Sequence, residues 1–136
     1  MYEFSMNYIA VIVVAVISFI LGALWYSPLL FYKPWLKALG KTDEEMKNGI
    51  KPVTYVLTFV AWLIASYVLA VFVDYSGSPT FGYGMLAGFL CWFGFAAATS
   101  LIHHLFAQRP LEMWLIDTGY VLVAFLISGG ILAVWE

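Results

Sequence analysis

Four long apolar runs divide this chain of 136 residues, and they constrain its fold more than any other feature. They span 7–27 ("NYIAVIVVAVISFILGALWYS"), 52–73, 79–105 and 110–135. A helix rises about 1.5 Å per residue, so about 20 apolar residues cross the ~30 Å hydrocarbon layer of a bilayer. The composition excludes the soluble alternative. With 64% hydrophobic and 10% charged residues, a soluble domain would carry large apolar patches in water. The runs are rich in valine and isoleucine, but they are too long for barrel strands and lack an alternating pattern. No polar linker separates two cores. The sequence therefore predicts an all-α integral membrane protein, a single domain over 1–136 with four transmembrane helices in one bundle.

Local signals mark the ends of these helices. Pro52, Pro79 and Pro110 stand at the heads of their spans, where a missing N–H leaves no helical bond unmade. Ser78 is a candidate N-cap before Pro79. Ser27-Pro28 predicts a break after the first span. The stretch "LLFYKPWLKALGKTDEEMKNGIK" then mixes lysines with Leu29, Leu30, Phe31, Trp35 and Leu36. Residues 29–39 read as a short helical segment lying in the headgroup layer, between spans one and two. Thr42 and Glu45 form a capping-box pattern for a small helix after Gly40.

Charge sets the orientation. Lys33, Lys37, Lys41, Lys47 and Lys51 fall between spans one and two, and Arg109 falls between spans three and four. Those loops share one side and hold all six cations; the other side has Glu3, Asp74 and Glu136. The positive-inside rule makes 28–51 and 106–111 cytosolic and puts both termini outside. The first run lacks a basic leader and a cleavage site, so it reads as a retained anchor. A net charge of −2 without a basic stripe speaks against nucleic acid as a partner. Cys91, the single cysteine, excludes an internal disulfide and reads as a small buried hydrophobe.

Helices in lipid associate through close contact of small residues and through hydrogen bonds. Ser18 with Gly22 in span one and Gly84 with Gly88 in span three supply small-xxx-small pairs. Span three continues that face through Cys91, Phe95 and Ile102; span two offers Thr54, Thr58, Ala61 and Ala65; span four offers Asp117, Val121, Ala124 and Ser128. The expected partners are membrane lipids and either a second copy of the chain or another membrane protein.

The stretch "TSLIHHLFAQRPLEMWLIDTGY" (99–120) gathers both histidines, the only arginine and two of the eight acids. A helical hairpin turning near Gln108-Arg109 sets Asp117 about three residues, or ~4.5 Å, from the level of His103. The lean of side chains toward each helix's N-terminus closes that gap. On a uniform helix His103 lies nearer the small-residue face than His104. His103 and Asp117 are thus the expected proton- or ligand-binding pair, with Arg109 a third candidate for the same site; on the clamp alternative Arg109 meets lipid phosphates or Glu112. Trp25, Tyr26, Trp35, Trp114 and Trp135 fit an interfacial aromatic belt. Trp62 and Trp92 lie deeper and are candidates for lining a pocket. Adjacent histidines cannot share one helix face, so no metal site is expected. No motif calls for a cofactor, and no Ser-His-acid set or paired carboxylates suggest catalysis.

Two blocks also carry a family resemblance. "LGALWYSPLLF" (21–31), Trp35, "ALG" (38–40) followed by "TDEE", and "HLFAQRPLEMWLIDTGY" (104–120) with Gly130 and Trp135 resemble the small bacterial membrane proteins of domain of unknown function family 1761. The likeness runs nearly end to end. It implies four spans in a bacterial inner membrane, and brings no activity, cofactor or catalytic residue to carry over. Three functions stay open on the residues alone. One is a non-enzymatic protein that binds or moves a small solute or protons through the hairpin. Another is a structural or accessory subunit whose hairpin only clamps helices. The third is a small membrane enzyme acting on a lipophilic substrate.

Overall fold

Short polar contacts and glycines end each helix where the apolar runs stop. The computed structural model of the chain describes residues 7–77 and 80–135. Ser78 and Pro79, and the acids Glu3 and Glu136, lie outside the described residues. Helix α1 is Tyr8–Trp25, and its N-cap Asn7 accepts a bond from the Ala10 N–H through its side chain at 3.1 Å. The break at Ser27-Pro28 is present: Ser27 Oγ donates to the Leu24 carbonyl at 2.6 Å, and the Phe31 N–H reaches back to the Trp25 carbonyl at 3.0 Å. This tight return keeps 29–31 out of the following helix, so α2 spans Tyr32–Leu39 rather than 29–39. Gly40 ends it in a left-handed conformation, φ 76°. Helix α3, Asp43–Gly49, has the expected N-cap but only half of the capping box: the Glu45 N–H donates to Thr42 Oγ1 at 3.2 Å, while Glu45 Oε1 accepts from the Thr42 hydroxyl at 3.1 Å and not from its backbone N–H.

The loop also contains an exposed electrostatic cluster. The Tyr32 hydroxyl donates to Asp43 Oδ1, and Lys47 Nζ lies 3.0 Å from Asp43 Oδ2. The Tyr32 hydroxyl, and then Lys47, hold the Asp43 carboxyl below its usual range. A lowered folded-state value contributes stability above the ordinary carboxylate range, and the contribution is lost as pH falls through the lowered value. Tyr32→Phe should move the Asp43 titration, followed by carboxyl-detected NMR, upward toward that range. An unmoved titration would mean the bond is absent in solution.

Helix α4 is Pro52–Ser76, with Pro52 in its first turn and Gly77 (φ 67°) closing it. The third apolar run is not one uniform helix. It comprises α5 (Phe81–Cys91), a π-helical segment (Trp92–Ala97) and α6 (Ala98–Phe106). A turn through Gln108, at φ 57°, leads into α7, Leu111–Val134. Helices α1 and α4, the run from α5 to α6, and α7 are each long and apolar enough to cross a membrane. Among the described residues there is no strand.

Helix α7 touches α1, α4 and α5. Trp25 and Tyr26 meet it at Ile116 and Asp117, while at its far end Asn7 Nδ2 donates to the Trp135 carbonyl at 3.3 Å. Helices α1 and α7 are therefore antiparallel. The expected Gly84/Gly88 face is a helix contact, and its partner is α7. A Cβ built on Gly84 would stand 2.2 Å from the Gly129 carbonyl oxygen, and one on Gly88 would stand 2.2 Å from that of Phe125. Ser18 is fully buried, with its hydroxyl 3.4 Å from that of Ser128. Gly22 leaves room for Tyr120, whose hydroxyl would lie 2.6 Å from a Cβ there.

Two expected faces need correction. Thr54, Thr58 and Ala61 are exposed, and α4 packs instead through Trp62, Ser66, Leu69, Ala70 and Val73. Small residues alone did not identify the packed face, which mixes Ser66 and Ala70 with the larger Trp62, Leu69 and Val73. On the third run the Gly84/Gly88 face fails beyond Cys91: Phe95 is 69% exposed and Ile102 is 53% exposed. An i→i+5 turn takes up one more residue than an α turn, so the positions beyond it no longer keep the phase set by Gly84 and Gly88. The inward positions become Ala97, Ser100 and His104.

Candidate functional site

The polar chemistry collects where the end of α1, the α6–α7 turn and the start of α7 come together. Tyr26, the residue after α1, donates its phenol to Asp117 Oδ1 at 2.5 Å. From α6, His104 Nε2 stands 3.8 Å from Asp117 Oδ2. The imidazole is 12% exposed and the carboxylate 30%. His104 Nδ1 lies 3.0 Å from the Ser100 carbonyl. A carbonyl only accepts, so that contact is a hydrogen bond when Nδ1 carries the proton. Nε2 is then left buried without a hydrogen-bond partner, since 3.8 Å is beyond bonding range.

This geometry has a definite chemical consequence. With Nε2 bare and Asp117 ionised, two acceptors face one another at 3.8 Å. One added proton, on the imidazole or on the carboxyl, supplies a donor and makes the contact attractive.

The structure brings His104 to Asp117, and this corrects the expectation for His103, which is exposed. The reason is the π segment just described. A uniform helix turns the 103 position inward, and the extra residue in the π turn moves that role to 104. Arg109 lies exposed at the turn, outside the cluster.

The tryptophans also differ from a simple belt. Trp25 Nε1 donates to the Ile116 carbonyl at 2.9 Å, and Trp92 Nε1 donates to the Thr118 carbonyl at 2.8 Å. Trp114 Nε1 donates to Ser100 Oγ at 3.0 Å, and that oxygen lies 3.5 Å from Thr118 Oγ1. Trp25, Trp92 and Trp114 thereby tie α1, the π segment and α6 to the first half of α7. Trp62 is not among the walls of the apolar cavity beside α4; it packs edge-on against Tyr120 and Phe125, at centroid distances of 5.5 and 6.3 Å. Trp92 likewise stands outside the apolar cavity beside α4. Trp35 sets its ring edge-on to Tyr26 at 5.2 Å, and its Nε1 is a second buried polar atom without a partner. Tyr120 extends the polar file inward by donating to the Ser18 carbonyl at 2.5 Å.

Sequence reasoning missed Tyr26, Ser100, His104, Thr118 and Tyr120 as site residues. One signal was available. The blocks around Trp25-Tyr26 and around Asp117-Tyr120 stand out in the sequence, and in the fold they dock on each other: Trp25 packs against Gly119 while Tyr120 fills the notch at Gly22. A family model described as "Protein of unknown function (DUF1761)" matches residues 9–133. No curated protein and no solved structure matches the chain.

Proposed function

Since the chain belongs to the DUF1761 family, whose description names no activity, we propose from its geometry that it is a non-enzymatic inner-membrane protein that takes up and releases a proton at the Tyr26–Asp117–His104 cluster. The observation that carries this reading is the unpartnered Nε2 of His104 aimed at Asp117 Oδ2. The loops at 28–51 and 106–111 face the cytosol, because they hold all six Lys and Arg residues. The cluster then exchanges its proton with cytosolic water.

Beyond Asp117 the hydroxyls of Tyr120, Ser18 and Ser128 lead into the core. Helices α1 and α7 carry no further acid or histidine past that point. A polar file that ends at mid-depth stores a proton instead of passing it across. A second reading, the helix clamp, is favoured by the indole bonds of Trp25, Trp92 and Trp114.

Infrared difference spectra of reconstituted protein, stepped between about pH 8 and about pH 5, separate the two. On the proton reading, a carboxyl band vanishes in Asp117→Asn, changes in His104→Gln and persists in His103→Gln. On the clamp reading, no band depends on either residue, and both variants simply melt lower. Topology is checked by labelling Lys41→Cys and Arg109→Cys in a Cys91→Ser background with an impermeant thiol reagent. Both sites should react from the cytosolic side; reaction from opposite sides would overturn the orientation.

A further inference from the structure

A cavity of about 190 Å³ lies between α4, the π segment and α7, apart from the proton site. Ala65, Val68, Phe72, Cys91, Ala96 and Phe125 are among its walls. The Cys91 sulfur is the only side-chain heteroatom in the lining. Its mouth is on the outer face of the spans: the wall residues Val68, Phe72 and Phe95 are 45%, 43% and 69% exposed. The rings of Phe72 and Phe95, 6.2 Å apart, border it.

The cavity exists because of two local features. The π turn swings Phe95 outward, away from the face that Gly84 and Gly88 begin. The positions left along the gap, Ala65, Cys91 and Ala96, are too small to fill it. Dry apolar cavities of about 150 Å³ accept a benzene ring, so this volume admits one slender hydrocarbon group. At this depth in the spans the material outside the mouth is acyl chain. We propose that the cavity seats a segment of one acyl chain of a bilayer phospholipid, held between α4 and the π segment.

The test uses the full chain reconstituted with a phosphatidylethanolamine that carries a diazirine at the middle of one acyl chain. After irradiation, labelled residues are mapped by mass spectrometry. Label should concentrate at Val68, Cys91 and Phe95 and should fall about tenfold in Ala96→Phe and in Ala65→Phe. Label at Ile12 and Ile20, exposed on α1, should not change. If the substitutions prevent folding, hexyl methanethiosulfonate attached to Cys91 in the folded wild type blocks the cavity instead, with the same expected loss. Even labelling of every exposed face, label at the cavity unaffected by blocking, or cross-links joining two copies there would each overturn the proposal.

Discussion

Gly88→Val is expected to lower the unfolding free energy by at least about 3 kcal/mol, measured by reversible unfolding in mixed micelles. The new Cβ would stand 2.2 Å from the Phe125 carbonyl oxygen and 2.9 Å from its carbonyl carbon. Both are backbone atoms of a helix, so the clash cannot be relieved by turning a side chain. Helix α5 would have to move away from α7 along its length. That movement would also open the reciprocal contact, in which Gly84 and Gly129 each present a carbonyl oxygen to the other's α-carbon. Gly82 is the control on the same helix, since the nearest atom to a Cβ there is 3.9 Å away. Gly82→Ala should be neutral or stabilising by up to about 1 kcal/mol, through helix propensity alone. If Gly88→Val stays within about 0.5 kcal/mol of wild type, the close approach of α5 and α7 is wrong.

The second large effect is the coupling between Tyr26 and Asp117. A hydrogen bond to a charged acceptor contributes about 1.5–3 kcal/mol, roughly twice a neutral one. A double-mutant cycle with Tyr26→Phe and Asp117→Asn should return a coupling in that range at neutral pH. The cycle should also be run across pH. A phenol donates more strongly to a carboxylate than to a carboxylic acid, so on the proton reading the coupling shrinks if the added proton sits on Asp117 and persists if it sits on His104. In the first case His104→Gln should displace the pH at which it shrinks, while His103→Gln should not. A coupling that is constant with pH would keep the bond and rule out Asp117 as the proton's seat. A coupling near zero would remove the bond itself.

The expectation for His103 shows where local reading stops. On a uniform helix each residue advances the facing direction by about 100°, so one extra residue anywhere upstream reassigns every face beyond it. The π segment at Trp92–Ala97 is such an insertion, and nothing in "WFGFAA" marks it. It turned Phe95 and Ile102 outward and brought Ser100 and His104 in. The belt reading of Trp25 and Tyr26 stopped short for a different reason. Their partners, Ile116 and Asp117, are 91 positions away in each case, and no spacing rule links residues that far apart.

Much was nonetheless settled by sequence alone. Four crossing segments, their lengths and most of their ends follow from a hydrocarbon layer of fixed thickness and from caps that act within a few residues. The Gly84/Gly88 contact was legible because a bare backbone face has few other uses in a membrane helix. Only the tertiary structure decided which imidazole meets Asp117, that Tyr26 completes the cluster, and that α7 is the helix the others grip. Those outcomes depend on rotational phase and on contacts between distant segments. Both are set when the helices pack, because a shift of one residue there exchanges a buried partner for one facing lipid.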